Sequence, residues 1–192
     1  MRRRRGESGQ SMVEFAIALP FITLIALGVI ELSSALLDQH VVTRLAREGS
    51  NLTSRDTSLQ DTVTAMRGMM SRPVNFDNGS STLILSVIRN VSTTGAANYN
   101  KPILYQRVVY GTLSATSQLS THGSGSFGGA PDYQANNSDN DTNLQVTNLP
   151  PNITTLGGML YVTEIYSTHT VLTPLSNFGV TTPTTLYSIA YF

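Results

Sequence analysis

Apolar positions fall along this chain in three regimes. From Met12 to Ile30 nearly every residue is apolar and Glu14 is the one charge, and a second apolar patch, Leu32–Leu37, follows Glu31. Apolar residues on every face of a helix, rather than on one stripe, predict burial in lipid or among other helices. The uncharged run Phe15–Ile30 is about 24 Å long at 1.5 Å per residue, short of a hydrocarbon core of about 30 Å. Adding Met12, Val13 and Leu32–Leu37 gives an ordinary spanning length but brings Glu14 and Glu31 inside it. From Leu32 the pattern narrows to one face. Leu32, Leu36, Val41, Leu45 and Leu52 recur at helical spacing, while Asp38, Arg44, Arg47 and Glu48 take other faces. The helix is expected to continue as an amphipathic one and to end between residues 49 and 55, where Gly49 and the Ser50–Ser54 region weaken it.

The second regime is a short helix expected over Thr57–Met70. Thr57 and Gln60 have the spacing of a capping box, and Leu59, Val63, Met66 and Met70 form its apolar stripe. Pro73 stops it. The third regime is strand-like. Thr82–Val91, Ile103–Leu113, Met159–Thr168 and Thr185–Phe192 are rich in β-branched and aromatic residues and are separated by Gly, Asn and Pro. These four runs with a long helix across one face predict an α+β arrangement, its strand order unreadable. Within Met159–Thr168 the reading sets Glu164 facing solvent, in preference to a buried pair with Arg107 or Arg89. The connection Ser114–Gly158, with its Gly/Ser and Asn/Asp tracts, is expected to be an exposed, flexible, irregular loop.

Composition changes the picture in two ways. Twelve basic and twelve acidic residues balance, so no nucleic-acid partner is indicated, and the low charged content of 12% suits an exported or assembling surface. The imbalance is local: Arg2–Arg5 precede the apolar run, which by the positive-inside rule keeps the N-terminus cytoplasmic and exports the residues after about 38. Cysteine is absent, removing disulfides, thiolate metal sites and thiol catalysis. Asp139-Asn140-Asp141 begins like a calcium loop, yet its sixth position is Leu144 and its twelfth Pro150, where glycine and a bidentate acid belong. Only a weak irregular calcium site from Asp132, Asp139 and Asp141 stays open, and otherwise no metal and no cofactor is expected. His40, His122 and His169 lack ligand spacing, the serines lack a nucleophile elbow, and Gly123–Gly129 lacks the lysine of a phosphate loop. No enzyme is legible.

One stretch carries a family resemblance. Gly9-Gln10-Ser11-Met12-Val13-Glu14-Phe15, with a basic leader before it, Glu14 five places after Gly9, and Leu19-Pro20 in the apolar helix, resembles a type IV prepilin. More narrowly, it resembles the TadE-like minor pilins (pseudopilins) of the tight-adherence, or Flp (type IVc), pilus. Ala46-Arg47-Glu48-Gly49 is similar to a segment of that family, and Val162–Tyr166 with Leu172-Thr173-Pro174-Leu175 loosely resembles its terminal strand and turn. The resemblance implies a type IV pilin-like fold: a long N-terminal helix on a small antiparallel sheet. It implies cleavage between Gly9 and Gln10 by a prepilin peptidase, and assembly and register through Glu14, Phe15 and Pro20, with Pro20 bending the helix so that neighbours fit. Arg47, Glu48 and Gly49 are its further motif residues. A carboxylate at apolar depth must find a cation or take up a proton, and the new amine on a neighbour's Gln10 is the implied partner of Glu14.

The implied protein partners are the peptidase, a major Flp-type pilin, other minor pilins and the inner-membrane assembly platform. The implied course runs from the inner membrane to an extracellular pilus on the bacterial surface, with a role in initiating, priming or capping the fibre. The expected divisions are a leader 1–9, an assembly helix 10–37, its amphipathic continuation 38–55 and an exported domain 56–192 with its flexible loop at 114–158. Two other readings remain. One is a secreted surface binding protein cut by signal peptidase near Ser33-Ser34-Ala35, a site weakened by Glu14 and Glu31 in the apolar core. The other is a permanently anchored, single-span surface binding protein.

Overall fold

The computed structural model describes residues 7–179, 181 and 183–192; the leader arginines Arg2–Arg5 lie outside them. Helix α1 covers Glu7–Thr53 and runs through Pro20, which leaves the Ala16 carbonyl without its usual donor. The chain divides into two units, Met1–Leu37 with Thr170–Thr184 and Asp38–His169 with Thr185–Phe192. The first holds the apolar part of α1 and the segment after His169, which includes a 3-10 turn at Pro174–Phe178.

The second unit is the α+β body. It contains the end of α1, helix α2 (Leu59–Gly68), strands β1 (Ser81–Asn90), β2 (Pro102–Gly111), β3 (Met159–Thr168) and β4 (Thr185–Tyr191), and a 3-10 turn at Thr142–Leu144. All neighbouring strands are antiparallel, in the order β2-β1-β3-β4. The first α1 residues in its core are Val42, Leu45 and Ala46, at the three-then-one spacing of one helix face. Leu32 and Leu36, expected on that face, are exposed instead, so the amphipathic part starts later than the pattern implied. Helix α2 is capped by Ser58 rather than Thr57: the Ser58 hydroxyl accepts from the Asp61 backbone N–H at 3.1 Å. Its Leu59, Val63 and Met66 join the α1 residues over Leu83, Leu85, Val87, Val108, Ile165, Leu186 and Ala190 of the sheet.

The other face of the sheet is covered too. There Leu119 and Val146 from the long connection are buried against Ile88, Leu104, Leu160 and Val162, while Ala135 and Leu144 of the same connection form a separate cluster with Val91 and Ile103. Isolated bridges tie the connection to β2, Ile103 to Gln145 and Gln106 to Gln134, and to itself, Thr121 to Val146 and Phe127 to Ala135. The exposed excursion expected at 114–158 is thereby corrected: the segment is irregular but packed. Asn98 is enclosed beneath it. Its side-chain amide donates to the Ser138 and Asp141 carbonyls, each at 2.9 Å, and its carbonyl accepts from Gln145 Nε2 at 2.8 Å. With cover on both faces, nearly all of β1 is buried.

Candidate functional site: the apolar helix and its carboxylates

The candidate assembly residues lie along the first turns of α1. Gly9, Gln10, Glu14, Phe15 and Pro20 are all exposed. Residues 10 and 14 are one turn apart, so their side chains share a face, and Gln10 Nε2 donates to Glu14 Oε1 at 2.9 Å. Past them Met12, Val13, Phe15, Ile17, Leu19, Phe21, Ile22, Ile25, Val29 and Ile30 are exposed on all sides. Polar side chains in this stretch are satisfied within the helix. The Thr23 hydroxyl donates to the Leu19 carbonyl at 2.8 Å, and the Ser33 hydroxyl to Val29 at 2.7 Å. Among the described residues one helix, Gly9–Thr53, is long and apolar enough to cross a membrane.

Glu31 differs from Glu14. It is 1% exposed. Its Oε2 accepts from the backbone N–H of Leu172 at 3.0 Å, the N–H of Thr173 at 2.9 Å and the Thr173 hydroxyl at 2.9 Å. Such donors stabilise the charged form of a carboxylate. Sequence reasoning marked Glu31 only as an interruption of the apolar run, because its partners lie far along the chain. Leu172 and Thr173, which supply those partners, belong to the Leu172-Thr173-Pro174-Leu175 segment that loosely resembles the family's terminal turn.

The family-motif residues separate by role. Arg47 and Glu48 are exposed, whereas Ala46 and Gly49 are buried. A Cβ on Gly49 would lie 2.7 Å from Thr163 Cγ2 and 2.9 Å from Thr163 Oγ1, so only glycine lets α1 approach β3 this closely. Next to it Ser50 donates to the Ala190 carbonyl at 2.9 Å, and Gln39 Nε2 donates to the Tyr187 carbonyl at 2.9 Å. At Asp38 the carboxylate meets the buried His169 ring, 2.7 Å from Nδ1.

The remaining chemistry is structural. Glu164 does not face solvent, as expected of a carboxylate, but is fully buried. It accepts from the Ser117 hydroxyl, from the Gln118 N–H at 2.7 Å and from the Tyr187 hydroxyl at 3.1 Å. Burial first, then the Glu164 charge and the hydrogen bond to it, push the Tyr187 hydroxyl far above its ordinary ionisation range. Arg107 shares this sheet face, and its burial lowers its pKa against the opposing effect of Glu164. Arg89, the other suggested partner of Glu164, instead pairs with Asp139 and lies 4.2 Å over the Tyr105 ring.

The three aspartates weighed for calcium have separate uses or places. Asp139 bonds Arg89 and accepts from the Thr93 hydroxyl at 2.7 Å, and this Thr93 bond leads the causes that lower its pKa. Asp141 caps the 3-10 turn by accepting from the Asn143 N–H at 3.0 Å, and Asp132 is exposed. Among the described residues no group of three His, Cys, Asp or Glu side chains is placed to hold a metal ion.

Comparison with curated proteins and with solved structures gives no match. Comparison with protein families gives one over the helix just described: residues 9–51 match the family described as TadE-like protein, as the resemblance in the same residues implied.

Proposed function

We propose that this protein is a membrane-inserted minor pilin, or pseudopilin, of a Tad/Flp-type pilus. The observation that carries the proposal is a coincidence of position. The TadE-like match covers residues 9–51, and within it lies the helix whose apolar residues are exposed on every side. In this reading the chain inserts with its N-terminus in the cytoplasm, a prepilin peptidase cuts between Gly9 and Gln10, and α1 then leaves the bilayer to pack against equivalent helices of major and minor pilins. The body of the protein is exported and ends at the cell surface, where the subunit initiates, primes or caps the fibre. An apolar helix does not leave lipid unaided, so the assembly platform supplies the energy.

Glu14 has a defined task here. Lipid withdraws water from its carboxylate, and the amine created on Gln10 of a neighbour restores a partner. Losing one member of such a buried pair costs about 3–5 kcal/mol, enough to enforce a single register. Within the chain, positions 10 and 14 already lie on one face, which supports their use in one contact between subunits.

N-terminal sequencing of the protein from sheared surface fibres tests the reading. The expected first residue is Gln10. A start near Leu36 assigns a secreted, signal-peptide-processed binding protein, and an uncut chain assigns a permanently anchored one. A Glu14→Ala variant is expected to be cut normally and to be lost from fibres; normal incorporation would remove the pairing role.

A further inference from the structure

In the first unit, residues 170–184 carry no charged side chain. Thr173 and Leu175 of this segment are buried, while Leu172 and Phe178 are 58% and 66% exposed and Val171 is exposed as well. The same segment gives Glu31 the three donors of Leu172 and Thr173 and leaves that carboxylate 1% exposed.

A carboxylate meant to face water needs no such enclosure. One that must sit beside acyl chains does, because an ionised group without donors is costly there. Glu31 lies seventeen residues beyond Glu14, about 26 Å along a helix and therefore close to the far edge of a hydrocarbon layer of about 30 Å. The carboxylate is covered at the depth where a bilayer would end, and its cover turns Leu172 and Phe178 outward.

We propose that residues 170–179 form a second membrane contact, a clamp that covers Glu31 and inserts Leu172 and Phe178 into the outer interface of a phospholipid bilayer. The clamp sets how deeply α1 sits before assembly. Lipid is favoured as the occupant because the segment exposes Val171, Leu172 and Phe178, is wholly uncharged and shares its unit with the spanning part of α1. This proposal rests on α1 lying in a membrane, and its test separates the two.

The cysteine-free chain accepts single labels at Ile25→Cys, Leu172→Cys and Phe178→Cys, with Asp61→Cys as an exposed control in the second unit. Each full-length variant carries bimane and is reconstituted in phosphatidylcholine/phosphatidylglycerol vesicles, then quenched by nitroxide-bearing lipid or by aqueous iodide. Labels at 172 and 178 are expected to lose most of their emission to the lipid nitroxide and little to iodide, with the control reversed. Adding Glu31→Gln is expected to return 172 and 178 towards iodide while leaving 25 unchanged. If 25 is quenched by lipid but 172 and 178 behave like the control, the clamp is overturned and the spanning helix stands. If 25 also escapes lipid, the spanning reading falls with it. Protection of 172 and 178 that grows with the protein-to-lipid ratio, without lipid quenching, assigns the face to a second copy of the chain and overturns the proposal.

Discussion

At Gly49 a hydrogen in place of a methyl group decides how near α1 comes to β3. Gly49→Ala gains about 1 kcal/mol of helix propensity, but its Cβ would meet Thr163 Cγ2 at 2.7 Å, and overpacking of this kind costs about 1–3 kcal/mol. Overpacking is expected to win, with a net loss of up to about 2 kcal/mol in urea unfolding of the full chain in detergent. A Thr163→Ala change in the same molecule removes the obstructing atoms. The two substitutions are therefore expected to be far from additive, and additive losses would place the strain elsewhere. The sequence singled out Arg47, Glu48 and Gly49 as one motif, but not that two of them are surface residues and the third a packing contact. That distinction depends on Thr163, whose contact with Gly49 no local pattern reveals.

Tyr187 makes a second prediction at this scale. Its hydroxyl ionises at higher pH in the folded chain than in the unfolded one, chiefly through burial and then through Glu164. The folded state therefore holds this proton more tightly. The associated stability is complete below the unfolded value of about 10 and is lost as pH rises beyond it. Tyr166 and Tyr191 are displaced the same way, each chiefly by burial, so the alkaline loss is shared. Tyr187→Phe is expected to make the unfolding midpoint less sensitive to pH above about 10; an unchanged slope there would exclude Tyr187 as a contributor.

Among the elements, the strands were the most legible part of the chain. β3 has the bounds read from its alternation, and the other three begin or end within two residues of expectation, because β-branched and aromatic runs between turn residues leave few alternatives. The packing of the connection over 114–158 is illegible for the opposite reason. Its buried residues, Leu119, Ala135, Leu144 and Val146, are single apolar positions scattered among Gly, Ser and Asn, with no period to detect. What fixes its later half is Asn98, whose amide and carbonyl bond three of its residues from below. Asn98→Ala strands those groups, at about 1–3 kcal/mol for the buried set. Faster amide exchange confined to residues 135–146 and to the 96–101 turn is the expected result. Uniform change over the whole sheet would mean that the connection and the sheet open as one unit. Glu31 and its cover were hidden for another reason: 142 residues separate Glu31 from Thr173, and local pattern says nothing at that range.

For the whole molecule, the α+β class and the leading helix followed from the order of patterns, but the sheet order did not. The order β2-β1-β3-β4 places β1 and β3 side by side although the long connection lies between them. A chain ended after Gly158 keeps β1 and β2 but lacks the strands that complete the sheet. It is expected to be digested throughout residues 81–111 by protease levels that leave the full chain intact. Survival of the 81–111 hairpin would show that it folds alone.

That adjacency also sets a timetable for biogenesis. Ser81 meets Ser167 across a separation of 86 residues, and a ribosome delivers the first long before the second. Until the later strand emerges, the β1–β2 hairpin has one edge open and apolar side chains uncovered, the condition in which nascent chains aggregate or bind chaperones. The greasy helix at the front of the chain is complete well before then. In the proposed function, that order gives the helix time to be captured by the insertion machinery while the rest remains unfolded enough to follow it across.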